Sequence, residues 1–138
     1  MTQIIVAIIN QKGGVGKTTT SINLACGIAM LGRKVLLIDL DPQAHSTTVL
    51  RSSPDSCSAT IQDVLLKGIE VRDIIVSTGI DNLYLAPSSI HLDKAEQLLI
   101  PEMFRETRLS NALSGLDCQL RQYPGIRDIQ VKVPAQHR

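Results

Sequence analysis

The feature that most constrains this chain is an unbroken apolar run, Ile4-Ile5-Val6-Ala7-Ile8-Ile9, which stops at a glycine-rich turn. Such a run, rich in β-branched residues, predicts a strand buried on both faces of a parallel sheet, where no alternate position must face water. Helical spacing follows. Ile22, Leu24, Ala25, Ile28, Ala29 and Leu31 recur between Thr18 and Leu31, and Gly32 is a natural stop. Val35-Leu36-Leu37-Ile38 is a second buried run, closing at Asp39. The order strand, glycine loop, helix, strand is a βαβ unit.

Residues 41–58 are polar and rich in Ser, Asp and Pro, which predicts a long surface loop. Thr60-Ile61-Gln62-Asp63 has the pattern of a capping box with Asp in place of Glu, opening a short helix that Gly68 ends. Val71 to Val76 reads as a further helical turn or two, and Leu83-Tyr84-Leu85-Ala86 as a third strand closed by Pro87. Helices follow over about His91–Leu99 and Glu102–Leu116. The pattern then fails. Cys118 to Arg138 holds no apolar run longer than one or two residues, and Val131-Lys132-Val133 reads at most as an edge fragment. The expected fold class is α/β, a parallel sheet with flanking helices over residues 1–116. An irregular basic tail is expected over 117–138.

Composition narrows the function classes. A chain of 138 residues suits one domain, and 43% hydrophobic residues with a net charge of +1 exclude a disordered chain. No stretch of about 18 apolar residues is available to span a membrane. Met1-Thr2-Gln3 offers no basic region before the apolar run, so no signal peptide is expected and the chain reads as cytoplasmic. Cys26, Cys57 and Cys118 are odd in number and far apart, and predict reduced packing thiols rather than disulfides or a metal knuckle. His45, His91 and His137 share no ligand spacing and read as surface residues. Residues 1–120 carry 10 basic and 12 acidic side chains, against 4 and 1 in 121–138. With only 2% aromatic residues there is no stacking platform for nucleic acid, so the basic tail reads as a solvated end.

Lys12-Gly13-Gly14-Val15-Gly16-Lys17-Thr18-Thr19 lies between the first strand and the first helix. Glycines there let backbone N–H groups turn inward around a phosphate, and the helix N-terminus adds partial positive charge. Lys17 would reach the β and γ phosphates, and the Thr18 hydroxyl would bind Mg²⁺. The pattern GxxxxGK[ST] fits only from Gly16 onward, because Gln11 holds the first glycine's place. Asp39 and Asp41 lie at the C-terminal end of the second strand, where open α/β sheets bind ligands. A carboxylate there can hold a Mg²⁺-bound water or orient an attacking one. Solvated strand-end carboxylates are the competing reading.

KGGVGKTTT over residues 12–20, followed by VLLIDLDPQ over 35–43, resembles the deviant Walker A ATPases of the ParA/MinD type, and most of all the ParA/Soj partition proteins. Leu83 to Ser89 resembles the third-strand segment of that family, so the likeness runs over about residues 2–116. The resemblance implies a P-loop fold that uses ATP and Mg²⁺. It implies that Gly13 to Thr19 hold phosphate, that Thr18 and Asp39 lie at the metal, and that Asp41 positions water. Lys12 would reach across an ATP-dependent dimer of two copies. A ParB-type centromere-binding protein and non-specific DNA are the implied partners.

The departure lies after Leu116. Where the family places a strand ending in the Walker B aspartate, residues 117–138 show no such segment, which predicts truncation or a frameshift near Leu116–Cys118. On that reading Ile4–Ile9 lacks a neighbouring strand and exposes a backbone edge, and the chain alone turns over no ATP. Two other readings follow: a non-catalytic nucleotide-binding fragment, and MinD-like membrane positioning. The latter needs a C-terminal amphipathic helix, and Pro124, Gly125 and Pro134 disfavour one.

Overall fold

The computed structural model describes residues 4–10, 12, 14–53, 59–101 and 107–114, with the backbone of 129–134. Its elements in order are β1 (Ile4–Ala7), α1 (Lys17–Met30), β2 (Val35–Leu40), α2 (His45–Leu50) and α3 (Ile61–Lys67). A 3₁₀ turn (Val71–Ile74), β3 (Val76–Ser77), β4 (Leu83–Ala86), α4 (Leu92–Leu99), α5 (Arg108–Ser114) and β5 (Ile129–Pro134) complete them. The sheet has the order β1-β5-β2-β4-β3. Its first four strands run parallel, and β3 pairs antiparallel to β4 at one edge. No helix among the described residues is long and apolar enough to cross a membrane.

The period-2 geometry of β2 divides the core. Leu36 and Ile38 face a cluster built with Ile61, Val64, Ile74, Leu92 and Leu113, so α3, α4 and α5 cover that side. Val35 and Leu37 face the other way, onto Ala25 and Ala29 of α1 and Leu50 of α2. Leu83 and Leu85 of β4 join this second cluster, while Ala86 joins the first. At Thr60 the expected capping box is present, and the Thr60 N–H donates to Asp63 Oδ2 at 2.9 Å. The next helical turn closes on Lys67, whose Nζ lies 2.8 Å from Asp63 Oδ1.

Four expectations are corrected. Residues 129–134 are not irregular, and Val131-Lys132-Val133 is no edge fragment. Instead β5 pairs with β1 from Ile4↔Ile129 to Ala7↔Lys132, and with β2 from Val35↔Ile129 to Leu40↔Pro134. The sheet therefore has five strands, and β1 has a partner on one side. Its alternating apolar and polar letters disguise β5, because parallel interior strands are ordinarily apolar throughout. The rest of 117–138 lies outside the described residues.

β1 also departs from expectation, because it forms the outer edge of the sheet. Ile4 and Ile5 are 51% and 50% exposed, since α1 packs on β2, β4 and β5 instead. The predicted surface loop over 41–58 holds α2, whose Ser46, Thr47 and Leu50 are buried. Polar letters concealed that helix because its buried face is largely hydroxyl. Finally, Val76 belongs to β3 and not to the helical turn before it.

Candidate functional site

The loop after β1 is shaped by residues free to adopt left-handed backbone. Gly14 has φ +71° and Gly16 has φ +84°, a region that costs an L-residue roughly 1–2 kcal/mol. Gly16 also immediately precedes α1, and no side chain caps that terminus. The first-turn N–H groups of a helix have no partner within the helix, so these donors are available to an anion. No acidic residue lies in the first turn of α1 to compete for them. Lys17 is 7% exposed, and its Nζ donates to the Lys12 carbonyl at 3.5 Å. Among the described residues no carboxylate pairs with it. A buried ammonium with one long hydrogen bond is poorly compensated, and a phosphate oxygen would supply the missing charge.

β2 delivers the two aspartates to different places. Asp39 is fully buried and Asp41 nearly so. Asp39 Oδ1 accepts from the Asp41 N–H at 3.1 Å, and its Oδ2 accepts from the Thr47 N–H at 2.9 Å and the Thr47 hydroxyl at 2.7 Å. Burial pushes the Asp39 carboxyl above its ordinary value of 3.8. The bonds from the Thr47 hydroxyl and the Asp41 and Thr47 amides pull it down without cancelling the rise, and the nearby Asp41 charge adds to it. Asp41 Oδ1 accepts from the Gln43 N–H at 3.0 Å.

Between the loop and the end of β2 lies a cavity of about 350 Å³. Gly14, Val15, Gly16, Lys17, Thr18 and Thr19 form one wall, and Asp41, Gln43 and His45 the other. Most of the residues expected at the site thus meet around one space. Lys12 is exposed and outside this lining, and its N–H donates to Asn10 Oδ1 at 2.8 Å. Asp39 also stands outside the lining, with both oxygens engaged in the protein. Gly13 lies outside the described residues.

Sequence reasoning passed over Gln43 and His45. Gln43 stands within the quoted VLLIDLDPQ, two residues past Asp41, and that adjacency was the available signal. His45 reads as a surface histidine and is exposed, and it also lines the cavity. Among the described residues no group of three or more His, Cys, Asp or Glu side chains could by itself hold a metal ion. A cation here would need ligands beyond such a cluster, such as the Thr18 hydroxyl and phosphate oxygens.

Comparison with known proteins gives the family of the chain. A protein-family profile described as an AAA domain matches residues 3–120. The sporulation initiation inhibitor protein Soj of Bacillus subtilis is 45% identical over 112 residues, covering 81% of this chain and 44% of Soj. The chromosome partitioning protein ParA of Myxococcus xanthus is 40% identical over 112 residues, covering 81% of this chain and 40% of ParA. The chain thus spans less than half the length of these curated relatives. In three dimensions it is similar to a cobyrinic acid a,c-diamide synthase from Mycobacterium smegmatis, crystallised with an ATP analogue and magnesium. That likeness has a TM-score of 0.84 and 35% identity, and covers 99% of this chain and 52% of the synthase. The chain belongs to this AAA-domain family, and its relatives there are ParA/Soj-type partition proteins.

Proposed function

We propose that this chain binds Mg-ATP and serves as the nucleotide-binding part of a ParA-type partition ATPase. The observation that carries the reading is the buried Lys17, set behind a left-handed glycine loop and facing Asp41 across one cavity. Amides of Gly14 to Thr19 and the Lys17 ammonium would hold the phosphates, with Gly13 part of the same loop. The Thr18 hydroxyl would hold Mg²⁺, which supplies charge neutralisation of the β and γ phosphate oxygens. Asp41, on the opposite wall of the cavity, would orient a water there. Asp39, behind it, would favour the cation through its charge while its oxygens hold the Asp41 loop.

The exposed Lys12 side chain suits a group that serves a second subunit, and supports ATP-dependent dimerisation as this chain's mode of action. A ParB-type partner, non-specific DNA and a cytoplasmic location complete the reading, on the strength of the Soj and ParA likeness. A second reading, nucleotide binding without turnover, is favoured by one observation: β5, between β1 and β2, contains neither Asp nor Glu.

Titration of a fluorescent ATP analogue with Mg²⁺ tests the site. Lys17→Ala is expected to weaken binding by about 1.5–3 kcal/mol, the range for a charged hydrogen bond. Equal affinity in both proteins would overturn the assignment. Lys12→Ala is expected to leave that affinity unchanged and to abolish dimers seen by sedimentation with a slowly hydrolysed analogue. An unchanged dimer fraction would remove Lys12 from the interface.

A further inference from the structure

Behind the cavity wall, the end of β2, α2 and the segment after β4 meet at one hydroxyl. Thr47 of α2 is 5% exposed and does not line the cavity. Its Oγ1 donates to Asp39 Oδ2 at 2.7 Å and accepts from the Ser88 N–H at 2.9 Å. Ser88 follows β4 and is itself buried, and its Oγ donates to the Asp41 carbonyl at 2.8 Å. The same carbonyl accepts from the Ala44 N–H at 2.8 Å. The Asp41 backbone is therefore gripped on both sides, its N–H by Asp39 and its C=O by Ser88 and Ala44. Both Asp39 and Ser88 are held in turn by the Thr47 hydroxyl.

From this geometry we propose that Thr47 is a positioning residue for the Asp41 carboxylate, acting through Asp39 and Ser88. The proposal rests on the nucleotide-site reading for its purpose, but its physical content concerns the protein alone. Valine in place of Thr47 keeps the shape and removes the hydroxyl. That change would strip one of two donors from Asp39 Oδ2 and orphan the Ser88 N–H, both in buried surroundings where an unmade bond is costly. Serine keeps both bonds and removes a methyl group.

Amide hydrogen exchange of the full chain provides the test, followed residue by residue in wild type, Thr47→Val, Thr47→Ser and Ser88→Ala. The expected result is exchange over residues 41–45 at least about tenfold faster in T47V, with Val35 to Ile38 of β2 unchanged and T47S like wild type. S88A, which cuts only the link to the Asp41 carbonyl, is expected to give a smaller rise confined to the same segment. A merely structural role would instead speed exchange across β2 and the 41–45 segment in proportion, and would overturn the proposal. So would unchanged exchange over 41–45 in T47V and S88A. In a second arm, a Mg²⁺-bound, slowly hydrolysed ATP analogue should slow exchange over 41–45 in wild type and T47S and fail to do so in T47V. Restored protection in T47V would also count against the positioning role. If the wild type binds no analogue, the nucleotide-site reading falls, while exchange in the ligand-free protein still judges the hold of Thr47 on Asp41.

Discussion

β1 and β2 are written in nearly the same alphabet and live in different surroundings. Ile4-Ile5-Val6-Ala7 lies at the sheet edge, half exposed at Ile4 and Ile5, whereas Val35-Leu36-Leu37-Ile38 is buried completely. Composition specifies that each is a strand. Position in the sheet decides how much each contributes: β2 has a strand on either side and helices on both faces, and β1 has one strand neighbour, β5. The loops that follow differ in the same way. After β1 the left-handed positions belong to glycine, while after β2 Ala44 adopts φ +53° despite its Cβ.

The largest effect that could break this comparison is truncation of the two strands. Leu37→Ala is expected to cost about 2–5 kcal/mol in urea denaturation, because it opens a cavity in the second cluster. Ile5→Ala should cost less than about 1 kcal/mol, as a half-exposed side chain loses little burial. Equal losses would show that β1 is buried in solution. At the next scale stand the loops. Gly16→Ala meets no steric neighbour but keeps an unfavourable backbone, and is expected to lose about 1–2 kcal/mol. Ala44→Gly should gain about 1 kcal/mol by the same argument reversed. Losses at both positions would refute the strain account.

The smallest effect concerns two carboxyl groups. Asp39 is raised by burial, so its folded form holds a proton more firmly than the unfolded chain. Its contribution to stability therefore falls as pH rises from 3.8 through the raised value. Asp63 goes the other way. Partial burial raises it, but the hydrogen bonds from Lys67 and the Thr60 N–H, and the Lys67 charge, outweigh that and lower it. Its stabilisation is present above 3.8 and is lost as pH falls through the lowered value. Asp63→Asn should cost about 0.5–1 kcal/mol at neutral pH and flatten the acid side of the urea-midpoint profile. An unchanged profile would assign the acid loss elsewhere.

Local chemistry was legible and distant chemistry was not. The βαβ unit, the Thr60 cap and the β4 strand follow from periodicity and stop signals within about ten residues. That the glycine loop and Asp41 line one cavity was legible because the glycines and the strand end are adjacent to the residues they position. Thr47 and Ser88 were hidden, since their bond joins residues 41 positions apart and neither has a distinctive neighbour. α2 was hidden by its hydroxyl-rich buried face. β5 was hidden because its pairing with β1 and β2 depends on tertiary assembly, while Gln130 and Lys132 imitate an exposed strand.

The insertion of β5 between the two earliest strands also sets an order of events. Ile4 pairs with Ile129 and Val35 with the same residue, so β1 and β2 never touch as strands and depend on a segment synthesised long after them. The βαβ unit that looks self-sufficient in the first 40 residues is therefore open down its middle until residues 129–134 arrive. β2 can meanwhile assemble with β4, whose register needs nothing beyond Ala86. β1, and with it the anchor of the glycine loop, would dock last. Loop closure over such separations is slow, and a parallel pairing adds no local turn to guide it. During synthesis the chain would thus hold a β2–β4 nucleus first, and complete the cavity between the glycine loop and the end of β2 only in the final step of folding.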